Sequence, residues 1–165
     1  MKRLLCYLTL ITALVLNTGC EKSSAVTAVT TGLSFSAEIT CEDYSAFIDA
    51  AINKNGNAEF TVTAPEKAAG LKFKYTSHCV LSYDGLEFPI KGEFPEFGFI
   101  NTVYEIFESA EKSKHKVTKT SQGFILKGKT DKTDYEMLLG ESGLPIKITT
   151  DNKMTVIIKN ATLKD

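Results

Sequence analysis

The chain has 165 residues, 43% of them hydrophobic and 24% charged, and its formal net charge is −1. That length holds one modest domain, and so even a charge balance lacks the concentrated basic patch that nucleic acid demands. No apolar stretch reaches the ~20 residues that a comfortable membrane-spanning helix needs.

In chain order, Met1-Lys2-Arg3 is a short cationic start, and a mostly apolar stretch follows from Leu4 to Leu16. Then comes Leu16-Asn17-Thr18-Gly19-Cys20. A positive start, a short hydrophobic region and a small residue before a cut read as a secretory signal. The last five residues resemble the lipobox of bacterial lipoproteins, in which a small residue precedes a cysteine that is diacylated before cleavage. Asn17 departs from the apolar residue usual at its position, and an ordinary signal cut nearby is the alternative. The resemblance implies a signal peptide over residues 1–19, lipid attachment at Cys20 and a cell-membrane location on the exported side. Two or more acyl chains anchor stably where one does not. Without Lys2 and Arg3, 17 basic residues face 20 acidic ones, so acyl chains rather than charge are expected to hold the protein at the membrane.

Residues 20–32 are small and polar and read as a lipidated tether. The domain is expected over residues 33–165. Leu33, Phe35, Ala37, Ile39 and Cys41 alternate with polar neighbours, and Tyr44, Ala46, Ile48, Ala50 and Ile52 repeat the pattern. Asn55-Gly56 marks a turn. Ala58–Ala64, Leu71–Tyr75, Cys79–Tyr83 and Leu86–Ile90 follow as strands, the last two joined at Asp84-Gly85. Such alternation predicts an antiparallel sheet with one face in the core and the other in water. The period then changes. Ile100, Val103, Tyr104, Phe107 and Ala110 recur every three or four residues, predicting an amphipathic helix over 97–112. Strands return over 123–130, 133–139, 145–149 and 154–163. The fold class is mainly β (α+β): a curved, half-barrel-like antiparallel sheet of about ten strands with one principal helix.

Chemistry is sparse. Cys41, His78, Cys79 and His115 lack the paired spacing of a zinc site, so no metal is expected. No phosphate loop or nucleophile elbow is legible, no cofactor is called for, and an enzyme ranks last among the readings. Cys41 and Cys79 are either a disulfide of an exported domain or two separate thiols behaving as small apolar side chains. Phe60, Phe73, Tyr75, Phe88, Tyr104 and Phe107 are candidates to line a cleft between helix and sheet. The alternative is that they simply fill a core.

Two stretches carry a family resemblance. One is Asn57-Ala58-Glu59-Phe60-Thr61-Val62-Thr63-Ala64-Pro65-Glu66 with Gly70-Leu71-Lys72-Phe73. The other is Asp134-Tyr135-Glu136-Met137-Leu138-Leu139 followed by Gly143-Leu144-Pro145-Ile146-Lys147-Ile148. With the lipobox, the strand meander, the helix and the final antiparallel run, the chain resembles the LolA-like half-barrel family of lipoprotein carriers and lipid-binding envelope proteins. That resemblance implies a hydrophobic small molecule, a lipid or a lipidated envelope protein as partner. The carriers open on a long amphipathic helix, whereas residues 21–31 here are polar. An anchored binder is therefore expected rather than a diffusing shuttle, with a packed protein-interaction module as the second reading. Labelled palmitate is expected to join the chain in growing bacteria, and Cys20→Ala to abolish both labelling and membrane fractionation.

Overall fold

The computed structural model describes residues 26–91, 98–112 and 117–164. The signal segment, Cys20 and His115 therefore lie outside the described residues. Eleven strands form one open antiparallel sheet: β1 (Leu33–Cys41), β2 (Tyr44–Ile52), β3 (Ala58–Ala64), β4 (Lys72–Tyr75), β5 (Cys79–Tyr83), β6 (Leu86–Ile90), β7 (Val117–Thr120), β8 (Gly123–Lys129), β9 (Asp134–Leu139), β10 (Pro145–Thr150) and β11 (Met154–Leu163). Helix α1 (Gly98–Lys112) falls between β6 and β7. The spatial order is β6-β5-β4-β3-β2-β1-β11-β10-β9-β8-β7. Each half of the chain is a meander, and the halves join where β1 pairs with β11. Register shifts at Ser34/Ser36, Phe47/Ile48 and Pro145/Lys147 interrupt the ladders. Such irregularities bend a strand and sharpen its twist, which suits a half-barrel.

The expected strands are present, with ends moved by a residue or two. β7 is an addition. Val117-Thr118-Lys119-Thr120 has a single large apolar residue and follows a charged run, so it carries almost no periodic signal. It is an edge strand, and short, lysine-bearing edges resist pairing with other chains. Edge β6 resists in another way. Asp84 and Gly85 both have positive φ, as a two-residue type I′ turn requires. Counting ladder bonds outward from that turn puts the backbone groups of Glu87 and Pro89 on the free side. Proline has no N–H, so one of the outward donors is missing there.

The inner face carries Phe35, Ile39, Ile48, Phe60, Val62, Phe73, Met137, Ile148 and Val156, all buried. Helix α1 lies on this face through Ile100, Val103, Ile106, Phe107 and Ala110. Phe107 stacks on Phe35 at 5.4 Å between ring centroids, and Tyr104 stacks on Tyr75 at 4.2 Å.

Register decides the cysteines. Leu33, Ile52, Ala58, Tyr75 and Cys79 share one row across the sheet, whereas Cys41 ends β1 eight residues beyond Leu33. At ~3.3 Å per residue that offset is about 26 Å along the strands, before four strand spacings across them. A disulfide tolerates less than ~7 Å between Cα atoms. Both thiols are free, so the disulfide expectation is corrected to two separate cysteines.

The tether expected over 20–32 is docked over its last third and more. Val29 donates its N–H to the Gly143 carbonyl at 3.0 Å, Thr30 is buried with its hydroxyl on the Glu111 carboxylate, and Ala28 and Val29 pack on the core. Gly143 sits in the β9–β10 turn at φ +81°, and a Cβ there would collide with the Thr27 carbonyl. Residues 26–32 thus form a strap from that turn, past the end of α1, into β1. Gly143→Ala is expected to cost about 2 kcal/mol in urea denaturation. It is also expected to speed exchange of the Val29 amide, which is protected while the strap is seated.

Candidate functional site

The apolar candidates from the sequence divide into three groups. Phe60, Phe73, Tyr75 and Phe107 are buried in the core, and Phe107 also contributes to the floor of a cavity at the end of α1. The expected role is corrected for Phe60 and Phe73, which fill a core: α1 lies directly on the sheet, and its side chains occupy the space between the two. Phe60 meets Tyr75 edge to face at 5.7 Å, and Tyr75 in turn carries Tyr104, so these rings are a continuous stack from β3 to the helix. Tyr104 is half-buried at the margin of that stack. Phe88 stands in the open on β6.

Two mouths remain where the helix ends. A cavity of about 360 Å³ beside the C-terminus of α1 has Ile52, Tyr104 and Phe107 as floor, with Thr30, Asn55 and Glu111 on its rim. Another, of about 390 Å³, lies by the start of α1 among Cys41, Tyr44, Phe99 and Met154. A shallow depression of about 770 Å³ crosses β8, β9 and β10. Its Lys127 and Glu136 pair with each other, as do Lys129 and Asp134, so most of its charge is already matched.

The β5–β6 hairpin offers something different. Cys79, Leu81, Tyr83, Leu86, Phe88 and Ile90 share the inner face of the sheet, in register with Phe73 and Tyr75 on β4. Helix α1 meets the β4 margin through the Tyr104–Tyr75 stack. Beyond it the hairpin stands as an arm. Tyr83 is 47% exposed, Leu86 60% and Phe88 50%. An apolar patch continuous with a core but open to water marks an interaction surface more often than scattered single residues do.

Phe88 was the only member of this arm among the cleft candidates read from the sequence. Tyr83, Leu86, Leu81 and Ile90 were missed because alternation says which side chains share a face, not whether anything covers that face. Pro89 was the available signal, since proline in a strand points to an edge.

Electrostatics hold the titratable groups at the junction between arm and core in their neutral forms. Burial pushes the Tyr75 phenol far above its ordinary range, and its contact with the Cys79 sulfur adds to the shift. Burial also raises the Cys79 thiol, against the opposing effect of its bond with Tyr75. A thiol held protonated is a poor nucleophile. His78 is exposed and bonded to Ser77. No helix among the described residues is long and apolar enough to cross a membrane.

Among solved structures, the chain is similar to an uncharacterized conserved protein from Thermus thermophilus. The identity is 8%, the TM-score 0.50, and the match covers 83% of this chain and 81% of that one. It is also similar to a LolA superfamily protein from Nitrosomonas europaea, at 8% identity and a TM-score of 0.44, over 88% and 91% of the two chains. No protein-family model and no curated protein matches the chain. The likeness to the Thermus protein is one of fold alone.

Burial raises the phenols of Tyr75, Tyr104 and Tyr135 in the folded protein. Their contribution to stability is therefore complete below the unfolded value near pH ~10 and is lost as pH climbs above it. In an ultraviolet titration the buried phenols of Tyr75 and Tyr135 are expected to ionise only with alkaline unfolding. Free titration of Tyr75 and Tyr135 near pH ~10 in a still-folded protein contradicts their burial.

Proposed function

We propose that the chain is a membrane-tethered binding protein of the bacterial cell envelope that takes a hydrophobic ligand or lipidated partner on the inner face of the β5–β6 arm. The observation that carries this reading is the clustered exposure of Tyr83, Leu86 and Phe88 on the inner face of the sheet, where Tyr44 and Leu163 are also open but stand singly at strand ends. Covering the open half of each side chain is worth about 1 kcal/mol, so the three together supply roughly a hundredfold in affinity. The mouth at Tyr104 opens at Thr76, in the turn that leads into β5, at the opposite strand end from Tyr83 and Leu86. Because Pro89 blunts the β6 edge, the partner engages side chains rather than adding a strand.

The lipobox-like residues Leu16 to Cys20 support the anchor. The two stretches that resemble LolA-like proteins form the β3–β4 and β9–β10 hairpins. A lipid-anchored receptor accounts for both features better than a shuttle does. The packed space beneath α1 favours a second reading, in which the arm meets the apolar surface of a partner protein and no small ligand is involved.

Native mass spectrometry of the full chain, extracted from membranes in mild detergent, separates the two. A co-purifying lipid or acyl-bearing partner is expected with the unaltered protein. Leu86→Ser with Phe88→Ser is expected to weaken that binding about 30-fold. Thermal stability should change little, since both side chains are already exposed. Repeated preparations free of any lipid, with a protein partner held by the same two residues, establish the second reading instead.

A further inference from the structure

The strands have two ends, and the chain treats them differently. At one end lie the start of β1, the β2–β3, β4–β5 and β9–β10 turns, and the end of β11. At the other lie the β1–β2, β5–β6 and β10–β11 turns. The strap is seated wholly at the first end, with Val26 and Thr27 against Gly143 and Thr30 against the last turn of α1. On the reading of Cys20 as the lipid site, only five residues, and so six Cα–Cα steps, separate it from Val26. At ~3.6 Å per residue the reach is at most about 22 Å. Had the strap been free, the tether would have extended to residue 32 and allowed the domain to tumble.

Charge is divided along the same axis. Among the described residues the strap end carries Lys54, Lys91 and Lys164 against Glu111 and Glu141, with Lys112 already paired to Glu108. At the far end, Glu66-Lys67, Asp131-Lys132 and Asp151 with Lys153 balance, which leaves Glu42, Asp43 and Asp84 unmatched. Lysines near an anionic leaflet are attracted and acidic residues repelled, within a Debye length of the surface.

We infer that the half-barrel docks on an anionic bilayer by its strap end, with the β1–β2 and β5–β6 turns pointing away from the lipid. The strap shortens the leash, and the lysines give the presented end an attraction for the headgroups. The orientation leaves the tip of the β5–β6 arm open to a partner arriving from the envelope space. It rests on the anchor at Cys20 proposed above.

The test uses the full chain in bacterial membranes, with Cys41 replaced by serine and Cys79 by alanine. An environment-sensitive fluorophore is placed on Ser142→Cys, beside the strap, or on Asp43→Cys, at the far end. Lipids bearing a headgroup spin label are expected to quench the first probe at least several-fold more than the second. Lys54→Glu with Lys91→Glu and Lys164→Glu is expected to shrink that contrast without releasing the protein. Equal quenching in a palmitate-labelled chain, or stronger quenching at Asp43→Cys, overturns the docking and leaves the anchor standing. A chain that takes up no palmitate and stays out of the membrane overturns both.

Discussion

An open antiparallel sheet of this width cannot leave its concave face in water, and everything else in the structure depends on how that face is covered. One helix of 15 residues does the work. Its buried side chains sit on strands from both halves of the chain, and two ring stacks fix its position: Phe107 on Phe35 in β1, and Tyr104 on Tyr75 in β4. Residues 104 and 107 are one helical turn apart, so both rings project toward the sheet from one face of α1. Offset or stacked aromatic pairs add to the area they bury, and here they also set how far the helix reaches. The same packing explains why no large cavity lies beneath it.

Where the helix stops, the requirement changes. β5 and β6 extend the sheet past the Tyr104–Tyr75 contact with six apolar side chains still pointing inward. A protein that exposes such a surface risks aggregation, chiefly along the free backbone edge. Pro89 lowers that risk by removing a donor from the edge while leaving the apolar face untouched. The short, lysine-bearing β7 does the corresponding job at the opposite edge. Edge protection combined with an uncovered apolar face is what a surface held for a partner requires.

Surface charge contributes through placement more than through pairing. The ion pairs Lys74–Glu87, Lys127–Glu136 and Lys159–Glu38 are well exposed, and such pairs add little to stability. Lys132 and Glu105 are less exposed and tie the β8–β9 turn to α1, assisted by Ser109 on the Lys129 carbonyl. Together with Thr30 on Glu111, these bonds hold the helix at both its middle and its end. The strap is therefore part of the helix's seating and not merely a leash.

Most of the secondary structure was legible in the sequence because its signals are local. Period-two alternation located ten strands, Asn55-Gly56 and Asp84-Gly85 located turns, and a change of period located α1. β7 escaped because four residues with one large apolar side chain have no period to detect. Alternation also determined that Phe60, Phe73, Tyr75 and Phe88 share a face of the sheet, and the three-to-four spacing put Tyr104 and Phe107 on the apolar stripe of the helix. Whether that face is covered is a matter of which distant element lies on it, and local pattern carries no information about that. Only the tertiary structure could therefore bury Phe60, Phe73, Tyr75 and Phe107 in the core and leave Phe88 in water. The cysteines follow the same division. Sequence alone determined that Cys41 and Cys79 each sit at a strand end, but the register across five strands put those ends on opposite sides of the sheet. The strap is the last case: small polar residues read as a free linker, until Gly143, more than a hundred residues away, provided a seat that only a residue without a Cβ leaves open.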